Sequence, residues 1–325
     1  MAEEKKSGEK GFGKYILINE LKEKYSTAFS GEESEQKVSN ILYLEGIHFN
    51  LMYFPVKHLG YKSVINAIAD LYARGLKPEN LYVNIGLGAR FKKTDIELLI
   101  EGISLACKKY SVSIAELEIS TSLTGLAISV AAEATEERDI KRSQPAATDL
   151  ICVTGDLGAA YLGLEILERE TKVYEQTGGA QPELKGFEYV IGRQLKPELK
   201  YNLLQQSGDA GVTAGIIRTV RDGLASEILH IANTTGFGCR IYHDKLPIDR
   251  ETEAASKELG FETIISALNG GDDFEYVITV PVKQHELIEK IEGISIIGHH
   301  VPKEEGNSLA LQDGSLAELK AQGWE

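Results

Sequence analysis

The chain has 325 residues, of which 42% are hydrophobic and 26% are charged, as is usual for a globular protein of two domains. Its formal net charge of −14 argues against a nucleic-acid partner, because binding nucleic acid requires basic patches. No apolar run approaches the roughly 20 residues of a membrane helix, and the charged segment 1–10 lacks the apolar core of a signal peptide. The three cysteines show neither metal-binding nor disulfide spacing, which predicts a protein of the reducing cytoplasm.

Hydrophobic periodicity predicts alternating helices and strands in the first half of the chain. Residues 1–10 are expected to be a disordered start, and 26–39 an irregular polar segment. Thr94 is the expected N-cap of a helix, with Glu97 at the capping-box position. The expected helices are 15–25, 59–73 and 94–110, and the expected strands are 41–49, 81–87, 114–119 and 124–132.

The second half follows a short polar segment, 145–148, which predicts a domain boundary. Residues 11–147 are therefore expected to form an N-terminal α/β domain, and residues 148–325 a C-terminal α+β domain. A glycine turn at 155–158 leads into a helix, whereas 171–187 is expected to be a loop rich in Gly, Pro and Gln. The expected strands are 150–154, 238–242, 276–280 and 294–299, and the expected helices are 159–169, 223–232, 251–259 and 285–291.

Five short strings carry the most specific information in the chain. They read LEGIHF at 44–49, HLGYKS at 58–63, VTGDLG at 153–158, DGL at 222–224 and NGGDDFE at 269–275. In this order and at this spacing they resemble the thiamine-monophosphate kinase family, within the superfamily of aminoimidazole-ribonucleotide synthase. The resemblance runs over about 11–324, nearly the whole chain, and five strings in register make it specific.

The resemblance implies a two-domain fold like that of aminoimidazole-ribonucleotide synthase, in which the N-terminal domains pair to form a homodimer. It also implies that ATP and thiamine monophosphate bind in a cleft lined by acidic motifs, where Mg²⁺ bridges carboxylates and phosphates. The product of the family reaction is thiamine diphosphate. In phosphoryl transfer the protein contributes mainly positioning and charge neutralisation.

Three motif positions keep a carboxylate that the resemblance assigns to Mg²⁺. They are Asp70, Glu118 and Asp222, and Asp222 is also an expected catalytic residue. Structural alternatives stay open for two of them. Asp70 could instead form a surface pair with Arg74, one helical turn later, and Asp222 could instead cap the following helix.

Other motif positions have lost the residue that the family carries. Ile41 and Thr219 stand where the family has aspartates, and Arg221 stands where it has a serine. The segment 116–119 reads Glu-Leu-Glu-Ile in place of Gly-Gly-Asp-Thr, so two glycines are gone. At the first acidic motif, 32–33 is Glu-Glu, which either imitates two aspartates or forms a solvated loop. Since Mg²⁺ requires near-ideal geometry, these changes predict weaker metal binding.

Single residues receive further roles from the resemblance. Arg142 is expected to hold the substrate phosphate as a catalytic residue, with a solvated loop charge as the alternative. The expected nucleotide-binding residues are Glu32, Glu33, Gly155 and Arg221, and the expected substrate-binding residues are His48, Asp273 and Trp324. Structural roles stay open as alternatives: a turn for the glycine, packing for the histidine, a buried acid for the aspartate and a tail anchor for the tryptophan.

Three functions are consistent with this pattern. The first is ATP-dependent phosphorylation of thiamine monophosphate, impaired by the missing ligands. The second is an inactive relative with a nucleotide-binding or structural role, in which Arg74 and Arg221 supply positive charge and nucleotide binds without metal. The third is another reaction of the superfamily, such as selenium phosphorylation. It would call for a reactive cysteine near the N-terminus, whereas the first cysteine is Cys107, in an expected helix.

Overall fold

The computed structural model describes residues 13–29, 36–137, 141–179 and 181–321. Helices and strands alternate through these residues, as the hydrophobic pattern predicts. The helices are α1 (Lys14–Lys24), α2 (Val56–Ala73), α3 (Lys93–Tyr110), α4 (Ala159–Thr177), α5 (Glu188–Leu195), α6 (Tyr201–Asp209), α7 (Leu224–Thr235), α8 (Arg250–Leu259), α9 (Thr263–Asn269) and α10 (His285–Ile288). The strands are β1 (Val38–Leu44), β2 (Leu76–Leu87), β3 (Ser113–Thr121), β4 (Ala127–Glu137), β5 (Leu150–Thr154), β6 (Ile217–Thr219), β7 (Gly238–Tyr242), β8 (Tyr276–Val280), β9 (Ile294–Val301), β10 (Asn307–Ala310) and β11 (Leu316–Glu318).

The first sheet has four strands in the order β1-β4-β2-β3. Burial alternates along β1, so Ile41 and Tyr43 enter the core while Leu42 and Leu44 face outward. Helices α2 and α3 supply the buried partners of the inner face, and α2 is buried on nearly every side. The opposite face of β1 keeps its apolar side chains accessible.

The second sheet has seven strands in the order β11-β10-β7-β9-β5-β8-β6. Its strands β5 and β8 are buried at every residue, because both faces are covered. The hydroxyl of Tyr276 on β8 donates to the carbonyl of Ala69 in α2 at 3.3 Å. One hydrophobic cluster joins residues of both sheets, so α2 is packed between the first sheet and the edge of the second.

Most strands occur where they are predicted, but several helix boundaries do not. Lys92, rather than Thr94, is the N-cap of α3, and its N–H donates to Asp95 at 2.8 Å. Helix α4 continues to Thr177, so the loop predicted from residue 171 is wrong over its first seven residues. The short helices α5, α6 and α9 are not predicted, because fewer than three turns give a weak periodic signal.

The predicted division at residues 147–148 falls between β4 of the first sheet and β5 of the second. The bounds 11–147 and 148–325 stay a prediction. Among the described residues, no helix is both long and apolar enough to cross a bilayer.

Candidate functional site

A cleft of about 850 Å³ opens where the end of α2 meets segment 142–145 and strand β6. Among the described residues that line it, four are cationic and one is a carboxylate, Asp70. The cationic residues are Lys22, Arg74, Arg142 and Arg218. An excess of positive charge in a chain of net charge −14 favours an anionic ligand, and arginine suits phosphate geometry.

Asp70, on α2, is ion-paired within the chain. Its Oδ2 accepts a hydrogen bond from Nη2 of Arg221 at 2.6 Å, and about a quarter of each side chain is exposed. The same Nη2 donates to the carbonyl of Asn66, one turn earlier, at 3.3 Å. Burial would raise the pKa of Asp70, but nearby arginines, Arg221 first, outweigh it and lower the pKa. The carboxylate is therefore ionised, and its charge is compensated by the protein.

Arg74, the other partner considered for Asp70, bridges α2 and β1. Its Nη1 donates to the carbonyl of Val38 at 2.9 Å and to that of Gln36 at 3.1 Å. The guanidinium therefore combines a structural attachment to the first sheet with a place in the lining of the cleft.

Asp222 is covered by the first helix. Its Oδ2 accepts hydrogen bonds from Lys14 Nζ at 3.2 Å and from the hydroxyl of Tyr15. Burial would raise the pKa of Asp222, but the contacts with Tyr15 and Lys14 outweigh it and lower the pKa. The alternative role as helix cap is wrong, because Gly223 is the N-cap of α7 and no side chain caps that end.

A third carboxylate, Asp272, is paired with a buried lysine. Nζ of Lys62, 3% exposed, donates to Asp272 Oδ2 at 2.8 Å and to two oxygens of Gln194 at 2.8 and 2.9 Å. The backbone of Asp272 has a φ of 59°, a conformation that costs energy in a residue with a Cβ. Its N–H donates to the carbonyl of Arg221 at 2.7 Å, which joins the two loops of the site.

These contacts do not fit a magnesium site. Mg²⁺ requires several oxygen ligands in near-octahedral geometry, whereas Asp70 and Asp222 already accept cationic donors. In the part of the chain that the structure describes, no group of three or more His, Cys, Asp or Glu side chains is arranged to hold a metal. Glu118 lies on the exposed edge strand β3, outside the cleft lining. The structure does not bring the three predicted ligands together.

The positions that lost their carboxylates have structural surroundings. Ile41 is buried on the inner face of the first sheet, where an apolar side chain is favoured. Thr219 is buried at the end of β6 and still contributes to the cleft lining.

Arg142 does not behave as a solvated loop charge. Its Nη2 donates to the carbonyl of Ala73 at 3.0 Å, at the end of α2, and its Nη1 to that of Gly215 at 3.4 Å. The guanidinium thus connects the two halves of the chain at the border of the cleft. This position agrees with the predicted phosphate contact, which stays a prediction.

The glycine turn at 155–158 and Asp273 support the fold. Asp273 is buried and accepts the N–H groups of Gly158 at 2.9 Å and Ala160 at 3.4 Å, at the start of α4. Burial raises its pKa to about 7, although Arg193 and these hydrogen bonds oppose the shift. Gly155 has a φ of 57°, and a Cβ there would collide with a buried glutamate carboxylate. Gly155 and Asp273 do not line the cleft, so the structure gives no support to the nucleotide and substrate contacts predicted for them.

The remaining predicted residues lie away from the cleft or outside the description. His48 is exposed after β1, and its Nδ1 accepts the N–H of Leu44 at 3.1 Å, which closes a turn. Glu32, Glu33 and Trp324 lie outside the described residues.

Sequence reasoning missed four charged residues of the site: Lys14, Lys62, Arg218 and Glu227. Lys62 lies among buried residues of α2, and nothing in the local sequence indicates its three acceptors. Arg218 and Glu227 form an ion pair between β6 and α7, and only the chain turn between these elements brings them together.

Comparisons with known proteins agree with the resemblance seen in the sequence. Residues 32–133 match the family model "AIR synthase related protein, N-terminal domain". The chain is 26% identical over 327 residues to thiamine-monophosphate kinase of Aquifex aeolicus, covering 97% of this chain and 98% of that one. It is 29% identical over 273 residues to thiamine-monophosphate kinase of Synechococcus elongatus, covering 82% and 79%. The resemblance to this kinase is confirmed.

Solved structures confirm the predicted fold. The structure of AaThiL complexed with AMPPCP and TMP matches with a TM-score of 0.79 at 23% identity, covering 95% of this chain and 96% of its own. The hydrogenase maturation protein HypE of E. coli matches with a TM-score of 0.68 at 18% identity, covering 94% and 96%. At these identities the matches establish the architecture.

Proposed function

We propose that this chain binds ATP and thiamine monophosphate and transfers the γ-phosphoryl group of ATP to thiamine monophosphate, giving thiamine diphosphate. The observation that carries the proposal is the cleft, in which cationic side chains outnumber the single carboxylate. The names of the relatives supply the identity of the two substrates.

The chemistry assigned to this chain's residues is binding and charge neutralisation. A transferring phosphoryl group spreads negative charge over its oxygens, and fixed cations stabilise that charge. Arg142 and Arg74 are held at the cleft by backbone carbonyls, so little rotamer freedom remains for a ligand to remove. The resemblance implies Mg²⁺, but because the described carboxylates do not fit it, no step here depends on the metal.

We expect the reaction to be slow. Asp70 is paired with Arg221 and Asp222 with Lys14, so two carboxylates that the resemblance assigns to Mg²⁺ are already neutralised. Displacing these partners would cost free energy, so the two carboxylates do not readily take up the metal that the resemblance implies, and its contribution to the rate would be missing. The result expected is turnover well below that of the Aquifex aeolicus relative assayed in the same buffer.

The chain is also proposed to act as a cytoplasmic homodimer. Strand β1 presents Val38, Leu42 and Leu44 on the uncovered face of the first sheet, 37–53% exposed. An apolar sheet face of this kind favours a partner, and the resemblance names a second copy. Sedimentation of the purified chain tests this part separately.

A second function, nucleotide binding without transfer, is favoured by one contact. The Asp70–Arg221 ion pair at 2.6 Å supplies positive charge from the protein where the resemblance implies a metal. In this case the cleft would hold nucleotide phosphates in metal-free buffer and release no thiamine diphosphate.

The test is a phosphoryl-transfer assay with ATP and thiamine monophosphate, in the presence and absence of Mg²⁺. Slow formation of thiamine diphosphate supports the first function, and it should fall at least about tenfold in Arg142→Met, which loses a charged phosphate contact. Arg250→Met, an exposed arginine on α8, is the matched control and should keep wild-type turnover. Nucleotide binding with no product would instead support the second function.

A further inference from the structure

We propose that Arg218 is an additional phosphate-binding residue of the cleft and that buried Glu227 positions its guanidinium. The inference rests on the proposed function in one respect, that ATP is the ligand. The recognition of phosphate by Arg218 is tested independently of phosphoryl transfer.

Strand β6 lies along the cleft and brings Arg218 to it. Its neighbours Ile217 and Thr219 also belong to the lining but are buried, whereas Arg218 is partly exposed. It lines the cleft, and 26% of its side chain is exposed. Backbone pairing of β6 with β8 fixes the position from which the side chain extends.

Buried Glu227 forms an ion pair with Arg218. It lies in the first turn of α7, its side chain is 4% exposed, and its Oε2 accepts the Nε–H of Arg218 at 2.6 Å. Burying a carboxylate is costly unless a cation compensates it. The contact engages Nε, near the stem of the side chain, and therefore restricts the guanidinium before any ligand arrives. A restricted cation loses less entropy when it binds an anion.

The Arg218–Glu227 ion pair differs from the Arg240–Glu305 ion pair in its position relative to the cleft. Arg240 and Glu305 form a pair of the same length, 2.6 Å, with Arg240 25% exposed, but neither residue lines the cleft. The two arginines are thus matched in exposure and partner distance. They differ in whether a cleft rich in positive charge lies beside them and in the exposure of the partner carboxylate, which is 4% for Glu227 and 44% for Glu305, so Arg240 is the control for an arginine ion pair outside the cleft.

The experiment measures binding by isothermal titration in metal-free buffer, with the full chain and two probes, AMPPCP and inorganic tripolyphosphate. Arg218→Met should weaken both probes at least about tenfold, since a charge-assisted hydrogen bond is lost. Arg218→Lys should retain part of the affinity. Glu227→Gln should weaken both probes about threefold to tenfold, because the guanidinium is no longer restricted. Arg240→Met should change neither by more than about twofold, and thermal melts of all variants report folding.

Each outcome bears on the proposal. Wild-type affinity for tripolyphosphate in a folded Arg218→Met chain would overturn it. If affinity falls in Arg218→Met but stays at the wild-type value in Glu227→Gln, the positioning role of Glu227 is overturned. No binding of either probe by the wild type would also overturn it. If tripolyphosphate binds through Arg218 but no thiamine diphosphate forms in the transfer assay, the inference stands and the proposed function fails.

Discussion

Replacing Arg221 by serine would separate the structural and functional roles of the Asp70 ion pair. The pair is 2.6 Å long, and each side chain is about a quarter exposed. Breaking the pair should therefore lower the free energy of unfolding by an amount between that for an exposed pair, up to about 1 kcal/mol, and that for a buried pair, about 3–5 kcal/mol. Arg221→Ser should destabilise the chain by about 1–3 kcal/mol. At roughly 2–4 °C per kcal/mol, the Tm should fall by roughly 2–12 °C.

The pH dependence of this loss has a definite sign. The pKa of Asp70 is lowered in the folded chain, so its pair contributes stability above the usual aspartate pKa and loses it as the pH falls. The difference in Tm between wild type and Arg221→Ser should be largest near pH 7. It should shrink as the pH falls through the lowered pKa of Asp70, because the pair is lost once the carboxylate is protonated.

Magnesium provides the functional readout. Without Arg221, Asp70 is an uncompensated carboxylate, so Mg²⁺ should raise the Tm of the variant by at least about 2 °C and leave the wild type unchanged. Arg240→Ser, which breaks the pair with Glu305, is the control and should show no rescue by Mg²⁺. Equal responses of wild type and Arg221→Ser to Mg²⁺ would refute the view that the arginine takes the place of the metal.

Three further changes test other parts of the site. Lys14→Ala should uncover Asp222 and give the chain a Mg²⁺-dependent rise in Tm, which is checked by thermal melts; no such rise would mean that α1 does not restrict access. Gly155→Ala should destabilise by more than about 2 kcal/mol in denaturant titration, because a Cβ at its φ of 57° would collide with a buried carboxylate. Gly192→Ala, in α5 with open space around the Cβ, should instead stabilise by about 0.5–1 kcal/mol, and equal effects would contradict the steric explanation. Asp273 has a pKa raised to about 7, so its contribution to stability falls as the pH rises from about 4 to about 7; Asp273→Asn should make the slope of stability against pH shallower, the remainder coming from buried Glu227 and Glu275, whose pKa values are also raised to about 7, and an unchanged slope would exclude Asp273 as a source.

Sequence reasoning succeeds where a single local pattern determines the structure. Strands β5 and β8 occur at their predicted residues, because both are short apolar runs bounded by turns. The sequence places the end of α4 too early, because segment 171–187 is rich in Gly, Pro and Gln, a composition that favours a loop. Gly178, with a φ of 70°, is the left-handed residue that ends this helix, and a helix stop at that glycine was a readable signal.

The site is less accessible to sequence reasoning, because its charges are paired across the fold. The resemblance located Asp70, Asp222 and Arg142, and the inactive-relative hypothesis gave Arg221 a charge-supplying role. The partner considered for Asp70 was Arg74, whereas the structure pairs Asp70 with Arg221 at 2.6 Å. It did not indicate Lys14 as the partner of Asp222, 208 residues away, since that contact depends on where α1 lies. Partners so distant in sequence are determined by packing, which local patterns do not encode.

The central claim is that the cleft binds nucleotide phosphates through the protein's own cations rather than through a metal. Isothermal titration of AMPPCP into the wild-type chain, once with Mg²⁺ and once with a chelator, tests it most directly. We predict affinities that agree within about threefold in the two buffers. Binding that occurs only with Mg²⁺ would contradict the claim and would mean that the carboxylates exchange their arginine and lysine partners for the metal.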